Sequence, residues 1–390
     1  MLTPQPGRAG GYSRSHSALA MLGSLCLFLS AVEYLIPKPL PFMRIGLANL
    51  PLLLALDIFG PKDFFLLALL KVLGQGIIGG TLFSWVFLFS VAGTFASASV
   101  MYILRRLLGK RAGVASFGFA GLGCAGAMAS NGVQLVLARY LVFGNAMRYL
   151  APPFLASGFI TGIVLGLVCE YFCRHSQWYS EKAGSGEWKY RGIQEHCRYS
   201  NSEPRFLFIA GLLMALIFLL NRSLPGRAAQ LFVFCLFVLL SGKKINLLAT
   251  VMIMAGIIFC NLLATYGKVL AVFGPLRITQ GSLYAGLEKA VTLEGLLMLS
   301  RACISSDLKL PGTVGSLLGE SLRILELMRE KKGLIRRGNV IGGIDRIMRE
   351  VESGGIKETD VQYTKPQKNV KNIILLCVMV LATVAIGILI

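Results

Sequence analysis

The chain has 390 residues, of which 55% are hydrophobic and only 15% charged, and its formal net charge is +20. Its mean hydropathy is +0.67. So few charges cannot cover a soluble fold with this much apolar surface, which excludes disorder, fibrous structure and most soluble enzymes and places the chain in a bilayer. The 39 basic and 19 acidic residues cluster between apolar runs, as orientation signals and lipid-headgroup anchors do. No zinc finger, aromatic RNA-reading motif or basic helical repeat is present, so no nucleic-acid partner is expected.

Six apolar segments fill the first half: 19–36, 46–59, 64–80, 82–104, 112–137 and 150–172. The second is short for a span and the fifth is rich in glycine and alanine, so both are expected to pack inside a bundle. Arg8, Arg14, Lys62, Arg105, Arg106, Lys110, Arg111 and Arg174 fall on one side of this arrangement. By the positive-inside rule that side, with the amino terminus, is cytoplasmic. Residues 174–205 are polar and contain a Ser-Gly-rich stretch, and they read as a cytoplasmic linker. Apolar segments resume at 206–220, 231–240 and 247–265. Val269–Phe273 is an ambiguous stretch. Residues 283–303 carry Glu288, Lys289 and Glu294, so that segment is amphipathic or lines a protein interior. A polar, helix-forming region follows to Lys371, and the chain closes on an apolar run, 373–390.

These features predict an all-α, polytopic helical bundle of two membrane modules. The first covers residues 1–173, the linker 174–205, and the second 206–390, with no internal repeat relating them. The expected location is the cell's inner (cytoplasmic) membrane.

Polar residues inside spans are the main chemical clue, because each is costly in lipid unless paired or solvated. Glu33 lies near the end of the first segment. Lys71 and Gln75 lie one turn apart in the third, and Asn131 and Gln134 share a face of the fifth. Arg44 and Asn49 stand where the chain re-enters the membrane. Glu33, Lys71, Gln75, Asn131 and Gln134 lock the bundle by pairing with one another, line a solute-binding cavity, or do both, while Arg44 and Asn49 either recognise an anionic or amide-bearing solute or serve as a cap and headgroup anchor. Ala20 and Ser24, flanking Gly23, form a small-residue stripe suited to close contact with another helix.

Other chemistries find no footing. There is no phosphate-binding G-x-x-x-x-G-K-[ST] loop and no H-E-x-x-H. No paired-aspartate motif is present to hold Mg²⁺ against a diphosphate. The nine cysteines lie mostly in apolar runs and form no disulfide framework. Cys169, Cys173, His175, His196 and Cys197 do not match metal-ligand spacing. The chain is therefore expected to be no enzyme, with no metal and no cofactor of its own.

Three stretches carry a resemblance. The first runs from Val32-Glu33 through Arg44-Ile45-Gly46-Leu47-Ala48-Asn49 to Gly60-Pro61-Lys62-Asp63. The second runs from Lys71-Val72-Leu73 through Gly80-Thr81-Leu82-Phe83-Ser84 to Ser97. The third is Gly126-Ala127 with Asn131-Gly132-Val133-Gln134-Leu135. Together they resemble the Gx transporter family, also labelled heptaprenyl diphosphate synthase component I. The sequence departs from that pattern at Ser130, where the family usually has a histidine before the asparagine.

The resemblance implies a six-helix substrate-binding (S) component of an energy-coupling-factor transporter, docking through its first helix on a transmembrane coupling (T) protein. The second half more faintly resembles such a T protein, which makes Arg301 a candidate contact for ABC-type ATPase subunits. The function expected is uptake of a small solute, with ATP used on partner subunits. The alternative is a non-transporting membrane subunit of a quinone-, isoprenoid- or flavin-linked electron-transfer system.

Overall fold

The structure is a computed structural model that describes residues 14–34, 45–108, 118–185, 188, 203–243, 245–273, 276–304, 312–331, 340–353 and 370–389. In the first half, α1 (Arg14–Tyr34) leads to a 3-10 turn at Leu47–Asn49 and the short α2 (Leu50–Ala55). Then come α3 (Pro61–Gly79), α4 (Trp85–Leu108), α5 (Phe119–Ala138), α6 (Met147–His175) and α7 (Gln177–Ser185). Among the described residues, three helical stretches are long and apolar enough to cross a membrane: Ser15–Tyr34, Trp85–Leu108 and Phe119–His175. Shorter apolar helices add to these, so the chain is a multi-pass membrane protein.

The expected second span, 46–59, is instead the 3-10 turn and six-residue α2, all six residues of which are buried. Pro51 stands in its first turn and the helix ends at Ala55, too short to cross lipid. Part of the proposed linker is helical: Arg174 and His175 end α6, and α7 follows after one residue.

The second half has α8 (Glu203–Leu220), α9 (Leu224–Leu240) and α10 (Leu247–Leu262), then α11 (Gln280–Cys303), α12 (Gly312–Glu330), α13 (Val340–Ser353) and α14 (Val370–Leu389). The ambiguous Val269–Phe273 is a strand, β1, pairing antiparallel with β2 (Leu276–Thr279). This hairpin is the one departure from an all-α fold among the described residues.

Close approach of α5 and α6 depends on missing side chains. A Cβ on Gly162 would lie 2.8 Å from Cys124 Cα, and one on Gly166 would lie 2.2 Å from the Phe119 carbonyl oxygen. Both obstacles are backbone, so no rotamer change relieves them. α1 is buried around its whole circumference from Ser17 to Phe28, between α2 and α3 on one side and α12 on another. An all-round apolar helix belongs inside protein in this way.

Although α12 and α13 belong to the second half by sequence, they pack on the first. Gly23 on α1 faces Ser321 on α12, with its Cβ position 2.7 Å from the hydroxyl oxygen. Leu317, Ile324, Met328, Ile347 and Met348 join the same hydrophobic core as Leu22 and Leu25. Among the described residues, the first half meets α8, α10 and α11 at one end, where Val86, Phe89, Phe143 and Phe154 share an apolar cluster with Ile257, Ala290 and Leu293. Arg301 on α11 donates to the Tyr34 hydroxyl at 3.3 Å, and Ser300 Oγ accepts from the Phe83 amide at 3.3 Å. The Phe83 ring lies 5.2 Å from that of Phe208 on α8.

Candidate functional site

The intramembrane polar residues converge. Glu33, Asn49, Lys71, Gln75, Asn131 and Gln134 all line one cavity inside the first half. Arg44 lies outside the described residues.

Glu33 is buried near the end of α1 and accepts the Ile45 amide at 2.8 Å. Gly46, at φ 89°, supplies the left-handed turn that starts the Leu47–Asn49 segment and aims Asn49 inward. Lys71 projects from the middle of α3 with 3% exposure. Its ammonium donates to the Asn49 side-chain carbonyl and to Thr94 Oγ1. Gln75, one turn along, accepts from Ser90 Oγ at 3.4 Å. On the opposite wall, Asn131 donates to the Phe154 carbonyl at 3.0 Å and Gln134 to Ser130 Oγ at 3.2 Å.

Glycines make room for these amides. A Cβ at Gly158 would sit 2.1 Å from Asn131 Nδ2, and one at Gly93 would sit 2.4 Å from Gln134 Nε2.

The cavity measures about 40 Å³. Sequence reasoning missed its third wall, made by Ser90, Thr94 and Ser97 of α4. The signal was there, because hydroxyls at i, i+4 and i+7 form one helical stripe.

Locking and lining are thus not exclusive in this site. Each amide or ammonium has a protein partner, yet all border a common space. Ser130 stands in the cavity wall, so at that position the wall offers a hydroxyl.

Of the expected docking residues, Ala20 and Ser24 are fully buried on α1, the helix that packs along α12. Arg301 lies against Tyr34 and Gly80 of the first half. Lys243, in the turn after α9, donates to the carbonyls of Arg301 at 2.6 Å and Ile304 at 3.0 Å. Burial lowers the affinity of the Lys243 amine for its proton.

In the second half, Glu294 is 1% exposed and accepts from Thr250 at 2.9 Å. Arg227 binds Glu288 at 3.0 Å and Thr292 at 2.9 Å. Among the described residues, no three His, Cys, Asp or Glu side chains converge as a metal site would require. His196 and Cys197 lie outside that set.

Searches of curated proteins and of solved structures return no match. Residues 203–306 match a family model described as a domain of unknown function (DUF8519). The half that holds the cavity has the more informative likeness: residues 22–172 match the family model described as Heptaprenyl diphosphate synthase component I.

Proposed function

We propose that this chain is a membrane transport protein, an energy-coupling-factor-type importer of a small solute driven by separate ABC-type ATPase subunits. The observation that carries this reading is the cavity of Lys71, Asn49, Asn131 and Gln134, enclosed by helices whose length and apolarity suit a bilayer. Ionisable and amide groups gathered inside membrane helices commonly mark a solute or ion path. The packing of α1 along α12 supports an S-like unit resting on T-like coupling helices. The one-ended contact with α8, α10 and α11 supports a bundle that tips relative to its neighbour rather than one standing beside it. In this reading the chain binds no cofactor itself, and ATP is hydrolysed on its partners.

The matched family's description names heptaprenyl diphosphate synthesis and so favours a second reading, a non-transporting membrane component linked to isoprenoid chemistry. That description names a component, which accords with partner subunits under either reading. Against synthase chemistry within this chain stands the lack of any paired-aspartate motif.

Affinity purification of the full chain from its native membrane, with mass spectrometry of what accompanies it, separates the two. Recovery of ABC-type ATPases is the expected result. Recovery of flavoproteins or isoprenoid enzymes, with no ATPase, overturns transport in favour of the second reading.

A further inference from the structure

Glu294 stands in the middle of α11, where every residue from Ala290 to Ser300 is buried. Its carboxyl oxygens have unequal surroundings. Oε1 accepts from Thr250 Oγ1 of α10 at 2.9 Å. Oε2 is shut away from solvent and, among the described residues, has no hydrogen-bond partner.

The packing around this carboxyl is apolar. Leu293 and Leu297 share a cluster with Ile257 and Cys260 of α10, and Leu296 and Met298 share one with Phe234 and Val238 of α9. A Cβ on Gly295 would lie 2.3 Å from the Phe218 ring of α8, so that ring closes over the helix beside the carboxyl.

The charged and titratable groups on the packed elements do not bond it. On α9, Arg227 is engaged by Glu288 and Thr292, and Cys235 reaches Glu294 only through space. On α11, Lys289 donates to Asn261 at 3.4 Å. Arg301 acts on Glu294 through space while donating to Tyr34. α10 brings only Cys260 and β2 only Arg277, and the described side chains of α8, 206–220, include no titratable group. Lys243, after α9, donates to the carbonyls at the end of α11.

An ionised carboxylate in this place has neither water nor a bonded counter-ion, and one hydroxyl does not offset that loss of solvation. A carboxyl that keeps its proton carries no charge to solvate. We infer that Glu294 is a proton-binding site between α10 and α11, and that release of the proton requires these two helices to part. Release leaves a carboxylate, and water reaches the new charge only where α10 lifts from α11. Because α11 also carries Ser300 and Arg301 to the first half, the movement is felt at that contact. The site stands under either reading of the chain's function.

The test is infrared spectroscopy of the purified full chain and of Glu294→Gln, in a detergent free of ester groups, at about pH 7. Glutamine has the shape of a protonated carboxyl, so the variant is expected to fold. The variant is expected to lose one protonated-carboxyl band, with the Glu320 contribution cancelling in the difference. Raising the pH is expected to convert that band to carboxylate in the parent. At that pH the α10 amides between Thr250 and Ile257 are expected to exchange hydrogen faster in the parent than in Glu294→Gln.

Loss of carboxylate bands in place of the carboxyl band overturns the proposal. So does a Glu294→Gln chain that fails to fold, because the site then needs a charge. A band that moves when sodium replaces potassium at constant ionic strength assigns the site to a metal cation and overturns proton binding. A carboxyl band that survives until the protein unfolds marks a fixed neutral group and overturns the site. Ionisation that leaves α10 exchange unchanged overturns the link to helix parting.

Discussion

The Asp345 carboxylate accepts the backbone amide of Gln177 at 2.9 Å, across 168 residues of sequence. Its other oxygen accepts from Ser176 Oγ at 2.5 Å, and that hydroxyl in turn accepts the Tyr179 amide at 3.0 Å. One side chain on α13 thus supplies the cap that the first turn of α7 needs. Arg349 reinforces it by donating to Glu181 at 2.9 Å. Asp345→Ala is expected to cost about 1–2 kcal/mol, the usual loss of a cap. Hydrogen exchange would show it as faster exchange at Gln177, Trp178 and Tyr179, with the α5–α6 amides unchanged.

The α5–α6 crossing gives a sharper contrast. Gly166→Ala pushes a methyl into the Phe119 and Ala120 backbone and is expected to destabilise by about 1–3 kcal/mol. Gly132→Ala, on the same pair of helices but facing open space, is expected to be neutral or slightly stabilising, since alanine is the better helix former. Thermal midpoints of the two variants decide the matter.

Glu320 on α12 predicts a pH dependence. Burial against the first half pushes its carboxyl up to about 7, with Arg323 opposing the shift, and His16 on α1 lies 3.6 Å away. A carboxyl that holds its proton more tightly when folded stabilises the fold at low pH. That contribution is lost as pH rises from the ordinary glutamate value through about 7. The midpoint is therefore expected to fall between pH 5.5 and 8, and Glu320→Gln is expected to flatten the curve. An unchanged slope in Glu320→Gln would assign the dependence elsewhere.

Lys243 closes the last turn of α11 by bonding carbonyls that have no partner within the helix. Lys243→Met removes this donor from the Arg301 and Ile304 carbonyls, at a cost of about 1–3 kcal/mol. Thermal midpoints of variant and parent protein, with hydrogen exchange in the last turn of α11, would read this out.

Much of the site was legible because charge and amide side chains are conspicuous in apolar helices. Lys71, Gln75, Asn131 and Gln134 stood out for that reason. Ser90, Thr94 and Ser97 did not, because hydroxyls are common in membrane helices and satisfy themselves on nearby backbone. The clasp of Asp345 on Gln177 was invisible, since a cap supplied from a distant helix has no local signature. Its one sequence trace was the apolar spacing of Ile341, Ile344, Ile347, Met348 and Val351 on α13. The β-hairpin escaped because a short apolar run fits strand and helix alike.

The seating of α1 has a mechanical consequence. With α2 and α3 packed around it, α1 meets the second half at contacts that include Arg301 against Tyr34 and Ser321 against Gly23, about 16 Å apart along its axis. Contacts so close together turn small offsets into rotation. Sliding α12 by about 1 Å across that axis while α11 stays fixed tilts α1 by roughly 3–4°. The tilt is geared upward again at the far ends of the helices that move with it.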